Sequence, residues 1–127
     1  MHHRPNVLVI SGLDPSGGAG LQADIQAITA LGAHPLPVLS CLTVQDTRNV
    51  YASQAVDPAL LRHQLQVLLK DMPIAAIKTG ALGNAALVDV ILDVLADVDC
   101  PWVVDPVLVA TGGGALADDA LREAFRE

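Results

Sequence analysis

The segment from Ser11 to Gly20 reads SGLDPSGGAG and combines glycines, a carboxylate and hydroxyl groups in one short stretch. Gly17, Gly18 and Gly20 allow the backbone to approach a bound molecule closely, because glycine has no side chain. A helix that begins near Gly20 would direct its free N–H groups toward this loop, an arrangement that favours phosphate and other anions. The segment therefore predicts a ligand-binding loop at a helix N-terminus.

Two common phosphate-binding motifs do not explain this loop. Gly12 and Gly17 have the spacing of the two glycines of a P-loop. However, Gly18-Ala19 stands where that motif requires Lys followed by Ser or Thr. Gly18, Gly20 and Ala23 match the G-x-G-x-x-A form of the dinucleotide fingerprint, yet several residues separate them from the preceding apolar run. The P-loop is therefore excluded, and the dinucleotide fingerprint is a weak match.

Polar residues also follow each of the next three apolar runs. Gln45 follows the second run, Lys78 the third and Asp105 the fourth. Ligands of open parallel sheets bind beyond the carboxyl ends of the strands, so these clusters predict a ligand site at one sheet edge. The structural alternatives are a solvated loop glutamine for Gln45 and a turn cap for Asp105. A lysine at a strand end more often extends into solvent, so Lys78 is not assigned to the site.

The elements that must position these residues alternate regularly along the chain. Short apolar runs predict four parallel strands: Val7–Ile10, Pro37–Val44, Ile74–Ile77 and Trp102–Val104. Helical spacing and capping residues predict helices from near Gly20 to Leu31, from Asp57-Pro58 to before Pro73, from Asn84 to Leu95, and from Asp118 onward. This alternation is typical of an α/β domain whose parallel sheet has helices on both faces. The segment Val50–Val56 fits either a short strand or a flap.

Length and composition limit the other possibilities. The 127 residues, 52% of them hydrophobic, suit one domain, which we assign to 5–127 after a disordered or tag-like start at 1–4. The net charge of −7 and seven scattered basic residues exclude nucleic acid and anionic membranes as partners. No apolar run reaches membrane-spanning length. Cys41 and Cys100 fit thiols of a reducing compartment, which predicts a cytoplasmic location.

Taken in order, the motifs resemble the hydroxymethylpyrimidine/phosphomethylpyrimidine kinases of thiamine biosynthesis. The resemblance extends over nearly the whole chain from Asn6 onward and rests on Gly12–Asp24, Ala30–Gly32, Leu42–Thr47, Ile77–Gly80 with Leu82-Gly83, and Val103–Val107. It implies a ribokinase-like fold with a mainly parallel sheet. It also implies transfer of a phosphoryl group from ATP, with Mg²⁺, to the hydroxymethyl group of a pyrimidine.

The same resemblance implies site residues. Gln45 matches the family position that recognises the pyrimidine, and its amide offers both a donor and an acceptor. The implied substrate-binding set is Asp14, Ala19, Gly20, Val44, Gln45, Val107 and Leu108. Asp105 matches an acidic position close to the metal and phosphates, although the metal ligands themselves remain unassigned.

The departures from the family pattern leave alternatives open. Leu13 replaces a small hydroxyl residue and Ala81 often a methionine, so a pyridoxal- or pyridoxine-type kinase is an alternative. The family's second half, with its catalytic base, anion hole and most of the ATP pocket, has no counterpart before Glu127. We therefore predict a truncated fold, no catalytic residue within this chain, and no useful activity of residues 1–127 alone. A non-catalytic pyrimidine-binding module is the other alternative, and an uncovered sheet edge favours self-association, for example as a homodimer.

Overall fold

The computed structural model describes residues 4–105 of the chain. Its elements are β1 (Asn6–Leu13), α1 (Gly20–Ala30), β2 (His34–Gln45), β3 (Val50–Ala55), α2 (Pro58–Asp71), β4 (Ala76–Thr79), α3 (Ala85–Val94) and β5 (Trp102–Val104). The helix predicted from Asp118 lies outside the described residues. None of α1, α2 and α3, the helices of residues 4–105, has the length and hydropathy of a membrane span.

The strands form one sheet in the order β3-β2-β1-β4-β5. β1 pairs in parallel with β2 and β4, and β4 pairs in parallel with β5, which confirms the four predicted parallel strands. β3 is antiparallel to β2, so the segment left open between strand and flap is an edge strand. The carboxyl ends of β1, β2, β4 and β5 therefore lie at the same edge of the sheet.

Three strands have different bounds from those predicted, and β1 spans Asn6–Leu13 rather than Val7–Ile10. β2 begins at His34 rather than Pro37, and its early prolines cost no ladder hydrogen bond. The N–H of His34 donates to the carbonyl of Pro5 (2.9 Å), so the nitrogens of Pro35 and Pro37 face away from β1. On the side of β2 that faces away from β1, β3 pairs only with residues 41–45, so within residues 4–105 the earlier part of β2 has no strand partner on that side. β4 begins and ends two residues later than predicted, because its pairing with β1 extends to Thr79.

The helices start where local chemistry directs them. The Asp57 carboxylate accepts the N–H of Ala59 at the start of α2 (3.3 Å). Asn84 Oδ1 accepts the N–H of Leu87 at the start of α3 (3.1 Å), and both caps were predicted. α1 differs, because its N-cap residue is Ala19 and no side chain of residues 4–105 caps it.

Helices cover both faces of the sheet, as predicted. On one face, apolar side chains of β1, β2 and β4 form the core with α2 and α3; its largest members include Leu8, Ile10, Leu61, Leu65, Ile77, Leu87 and Ile91. α1 lies on the opposite face, where Val9 is fully buried and where Asp24 contacts Lys78 of β4. The core thus holds the strands in register while their carboxyl ends stay free to form a site.

Candidate functional site

A cavity of about 470 Å³ opens at the carboxyl ends of β1, β2 and β4. Its volume is in the range of small-molecule sites. The wall consists of the glycine loop between β1 and α1, the end of β2 with the following turn, and the end of β4. Five residues of the predicted set line it: Asp14, Ala19, Gly20, Gln45 and Asp105.

Val44, also predicted to bind the substrate, lies elsewhere. Val44 does not line the cavity, and 62% of its surface is exposed. Successive side chains of a strand point to opposite faces, so Thr43 and Gln45 face the cavity while Val44 faces away. Sequence reasoning could have found this, because adjacent strand residues cannot share one wall. Val107 and Leu108 lie outside the described residues.

Asp14 organises the glycine loop. Its carboxylate accepts hydrogen bonds from the backbone N–H of Ser16 (2.8 Å) and from the hydroxyl of Ser16 (2.7 Å). The N–H of Gly17 donates to the Asp14 carbonyl (3.0 Å), and Gly17 adopts a φ of 78°. Asp14 is only 6% exposed. The carboxylate therefore has a structural role in the loop in addition to its place in the cavity wall.

Gly20 closes the loop onto the end of β1. It forms an isolated bridge with Leu13, and a Cβ at this position would overlap the carbonyl oxygen of Gly12. Its φ of 64° also lies in the region that favours glycine. The N-terminus of α1 is thereby held at the edge of the cavity.

Gln45 is oriented by a short chain of hydrogen bonds. Its Nε2 donates to Thr43 Oγ1, and the Thr43 hydroxyl donates in turn to the carbonyl of Leu13 (2.7 Å). Within residues 4–105 one amide N–H is used in this way, and the second N–H and Oε1 have no partner among those residues. Sequence reasoning missed Thr43, although its spacing of two residues from Gln45 on one strand was a usable signal.

The turn after β2 is built around Asp46. Its carboxylate accepts the N–H groups of Arg48 (2.8 Å) and Asn49 (3.0 Å) and the hydroxyl of Tyr51 (2.9 Å). The backbone hydrogen bonds and then the Tyr51 hydroxyl lower the pKa of Asp46, because each stabilises the charged form. This turn places Thr47 and Asn49 on the cavity wall.

Lys78 also lines the cavity, although sequence reasoning favoured solvent for it. β4 continues to Thr79, so Lys78 is a strand residue and its side chain points away from the face of Ile77 and Thr79. Lys78 therefore points to the face of the sheet on which α1 lies. Its Nζ donates to the carboxylate of Asp24 on α1 (2.7 Å). The pair joins residues far apart in sequence, so no local pattern could have indicated it.

Asp105 directly follows β5, and its N–H donates to the carbonyl of Thr79 (2.9 Å). Residues 4–105 contain no group of three side chains that could hold a metal ion by themselves. Mg²⁺ at nucleotide sites needs only one or two carboxylates, since phosphate oxygens and water complete its shell. An exposed carboxylate on the cavity wall fits that requirement.

The sequence and the fold are similar to those of known kinases. The family model described as phosphomethylpyrimidine kinase matches residues 14–127. The hydroxymethylpyrimidine/phosphomethylpyrimidine kinase of Streptomyces coelicolor is 39% identical over 122 residues, which are 96% of this chain and 45% of that protein. The chain thus spans about half the length of such curated relatives.

Two solved structures are similar over most of the described fold. The phosphomethylpyrimidine kinase of Clostridium difficile has a TM-score of 0.86 and 29% identity, covering 96% of this chain and 53% of its own. The pyridoxal kinase of Staphylococcus aureus in complex with AMP-PCP and pyridoxal has a TM-score of 0.75 and 29% identity, covering 85% of this chain and 40% of its own. Both share the ribokinase-like fold.

Proposed function

This chain belongs to the phosphomethylpyrimidine kinase family, and we propose that its full-length protein uses ATP to phosphorylate hydroxymethylpyrimidine and the corresponding monophosphate. The cavity at the carboxyl ends of the strands is the pyrimidine site of this proposal. Among the described residues, the substrate is contacted by Asp14, Ala19, Gly20 and Gln45. The proposed pocket is completed by Val107 and Leu108.

The amide of Gln45 is the observation that carries this assignment. It faces the cavity, and its hydrogen bond to Thr43 fixes its plane. The free N–H and Oε1 are a donor and an acceptor side by side, which suits the ring nitrogen and amino group of an aminopyrimidine. A cavity of about 470 Å³ accommodates one such ring with its substituents.

The nucleotide belongs beside Asp105 in this proposal. Phosphoryl transfer depends mainly on positioning and on electrostatic stabilisation of the transferred group. Asp105 would hold Mg²⁺, which when bound neutralises charge on the phosphate oxygens. The related pyridoxal kinase of S. aureus was solved with AMP-PCP, which supports a nucleotide site in this fold.

Two broader features are part of the proposal. We assign the protein to the cytoplasm, which the free thiols of Cys41 and Cys100 support. We also propose that residues 1–127 by themselves associate, for example as a homodimer, since Val103 and Val104 are half or more exposed on β5, an edge strand of the described sheet.

The substitution Gln45→Ala in the full-length protein tests the assignment through the KM for hydroxymethylpyrimidine. Loss of one ligand hydrogen bond at about 0.5–1.5 kcal/mol should raise KM roughly 2- to 12-fold. Gln54→Ala is the matched control, because Gln54 lies exposed on neighbouring β3 and does not line the cavity. An unchanged KM in Gln45→Ala would remove Gln45 from the site.

The same assay separates the alternative functions. Wild-type protein that phosphorylates pyridoxal in preference to the pyrimidine would favour the pyridoxal-type kinase. Pyrimidine binding in calorimetry without consumption of ATP would favour the non-catalytic binding module. Pyrimidine-dependent formation of ADP is the result that we expect.

A further inference from the structure

We propose that Lys78, held by Asp24, binds the phosphate group of the phosphorylated pyrimidine and so distinguishes that substrate from the unphosphorylated one. This inference rests on the proposed function, since it assigns a specificity-determining residue within the same cavity. Lys78 would act by direct contact with phosphate oxygens, and Asp24 would act as a positioning residue through Lys78.

The charges of the cavity wall are the first argument. Three carboxylates, those of Asp14, Asp46 and Asp105, line the cavity, and Lys78 is the one cationic side chain among its described lining residues. A phosphomonoester carries about −1.5 to −2 charges at pH 7. Such a ligand would meet mostly negative side-chain charge, and Lys78 supplies the one attracting side-chain charge among the described lining residues.

The position of the ammonium group is the second argument. Lys78 Nζ lies 2.7 Å from the carboxylate of Asp24, and the two side chains are 23% and 19% exposed. Asp24 does not line the cavity, so it supports the ammonium from behind. An ammonium has three donors, and within residues 4–105 one of them is used on Asp24. The others remain available on the cavity side.

Gly80 provides the space that this arrangement needs. A Cβ at Gly80 would lie 3.2 Å from Lys78 Nζ and 3.2 Å from Ser11 Cβ. The ammonium group therefore lies close to the backbone at the carboxyl ends of β1 and β4. That edge is where open parallel sheets bind their ligands.

A role in stability alone explains the pair less well. A partly buried ion pair must be desolvated, and its replacement by apolar residues is often neutral or stabilising. Lysine is also flexible, and an opposing carboxylate restricts it to one position. An ion pair that restricts a cation beside a cavity is expected where an anionic ligand must be bound.

Calorimetric titration of the full-length protein with hydroxymethylpyrimidine and with its monophosphate tests the inference. For Lys78→Met we expect at least tenfold weaker binding of the monophosphate and less than a twofold change for the unphosphorylated compound. Lys78→Arg should recover part of the loss, because it restores the charge. Asp24→Asn added to Lys78→Met should cause no further loss, since Asp24 acts through Lys78.

Equal weakening of both ligands in Lys78→Met would show a structural role and overturn the inference. Unchanged binding of the monophosphate would also overturn it, while leaving the proposed function intact. Wild-type protein that binds neither compound would overturn the proposed function and this assignment with it. Lys78→Gln, which keeps a polar end group, replaces Lys78→Met if circular dichroism shows that the latter is unfolded.

Discussion

The backbone of Gly20 is placed so that a Cβ at this residue would overlap the carbonyl oxygen of Gly12. This contact folds the glycine loop back onto the end of β1 and fixes where α1 begins. Gly18 and Ala19, which line the cavity, are held in place by it. The shape of the proposed substrate site thus depends on a close approach of two glycine residues.

Substitution of Gly20 by alanine should destabilise the protein more than the same change at Gly17. Both glycines have positive φ angles, 64° and 78°, but only Gly20 lacks space for a Cβ. Gly17→Ala should cost roughly 1–2 kcal/mol for the left-handed backbone alone. Gly20→Ala adds a steric term, for a total of about 2–5 kcal/mol. Urea unfolding of the two variants measures the difference, and equal losses would contradict the close contact.

Gly12 and Cys41 should be energetically coupled. A Cβ on Gly12 would lie 2.7 Å from the Sγ of Cys41, a buried thiol on β2. Gly12→Ala should therefore cost about 1–3 kcal/mol through overpacking. In the Cys41→Ala background the clash is absent and the cost should fall by about 0.5 kcal/mol or more. A double-mutant cycle measured by urea unfolding checks this, and strictly additive costs would show that the two residues do not meet.

Cys41 should also make stability fall at alkaline pH. Burial raises the pKa of the Cys41 thiol, and the hydrogen bond with Ser40 offsets this only in part. Above about pH 8.5 the unfolded chain loses the thiol proton while the folded protein retains it, so stability decreases as pH rises. Below that pH the thiol is protonated in both states and contributes no slope. Unfolding of wild type and Cys41→Ala between about pH 7 and pH 10 should show a steeper decline for wild type; parallel curves would argue against a buried thiol.

Asp46 should titrate below the usual range of an aspartate. Its pKa is lowered by the N–H groups of Arg48 and Asn49 and by the hydroxyl of Tyr51. The stability that these hydrogen bonds give to the turn is fully present above about pH 3.9, the usual pKa of an aspartate, and is lost as the pH falls through the lowered pKa. Carbon-detected NMR titration should find this low midpoint, and Tyr51→Phe should raise it. The pKa of Tyr51 is raised by the same contact, so Asp46→Asn should lower it. A Tyr51 midpoint that does not respond to Asp46→Asn would contradict the hydrogen bond.

Much of the fold could be predicted because its signals are local. Apolar runs of strand length and apolar residues at helical spacing indicate elements without knowledge of their partners. The caps at Asp57 and Asn84 act within three residues of themselves, so their sequence context sufficed. The polar residues at the strand ends were likewise visible, because a parallel sheet brings all carboxyl ends to one edge. Asp14, Gln45 and Asp105 were identified for this reason.

Tertiary structure alone decided how those residues face one another. Lys78 lines the cavity, and does not extend into solvent, for two reasons. The pairing of β4 with β1 continues to Thr79, and the ammonium group is held by Asp24, which lies 54 positions away in sequence. The orientation of Gln45 depends likewise on Thr43 and on the carbonyl of Leu13 from another strand. Hydrophobic periodicity and capping are properties of neighbouring residues, and a sequence displays them directly. Contacts between distant residues form only when the sheet sets their register, so they appear only in the folded protein.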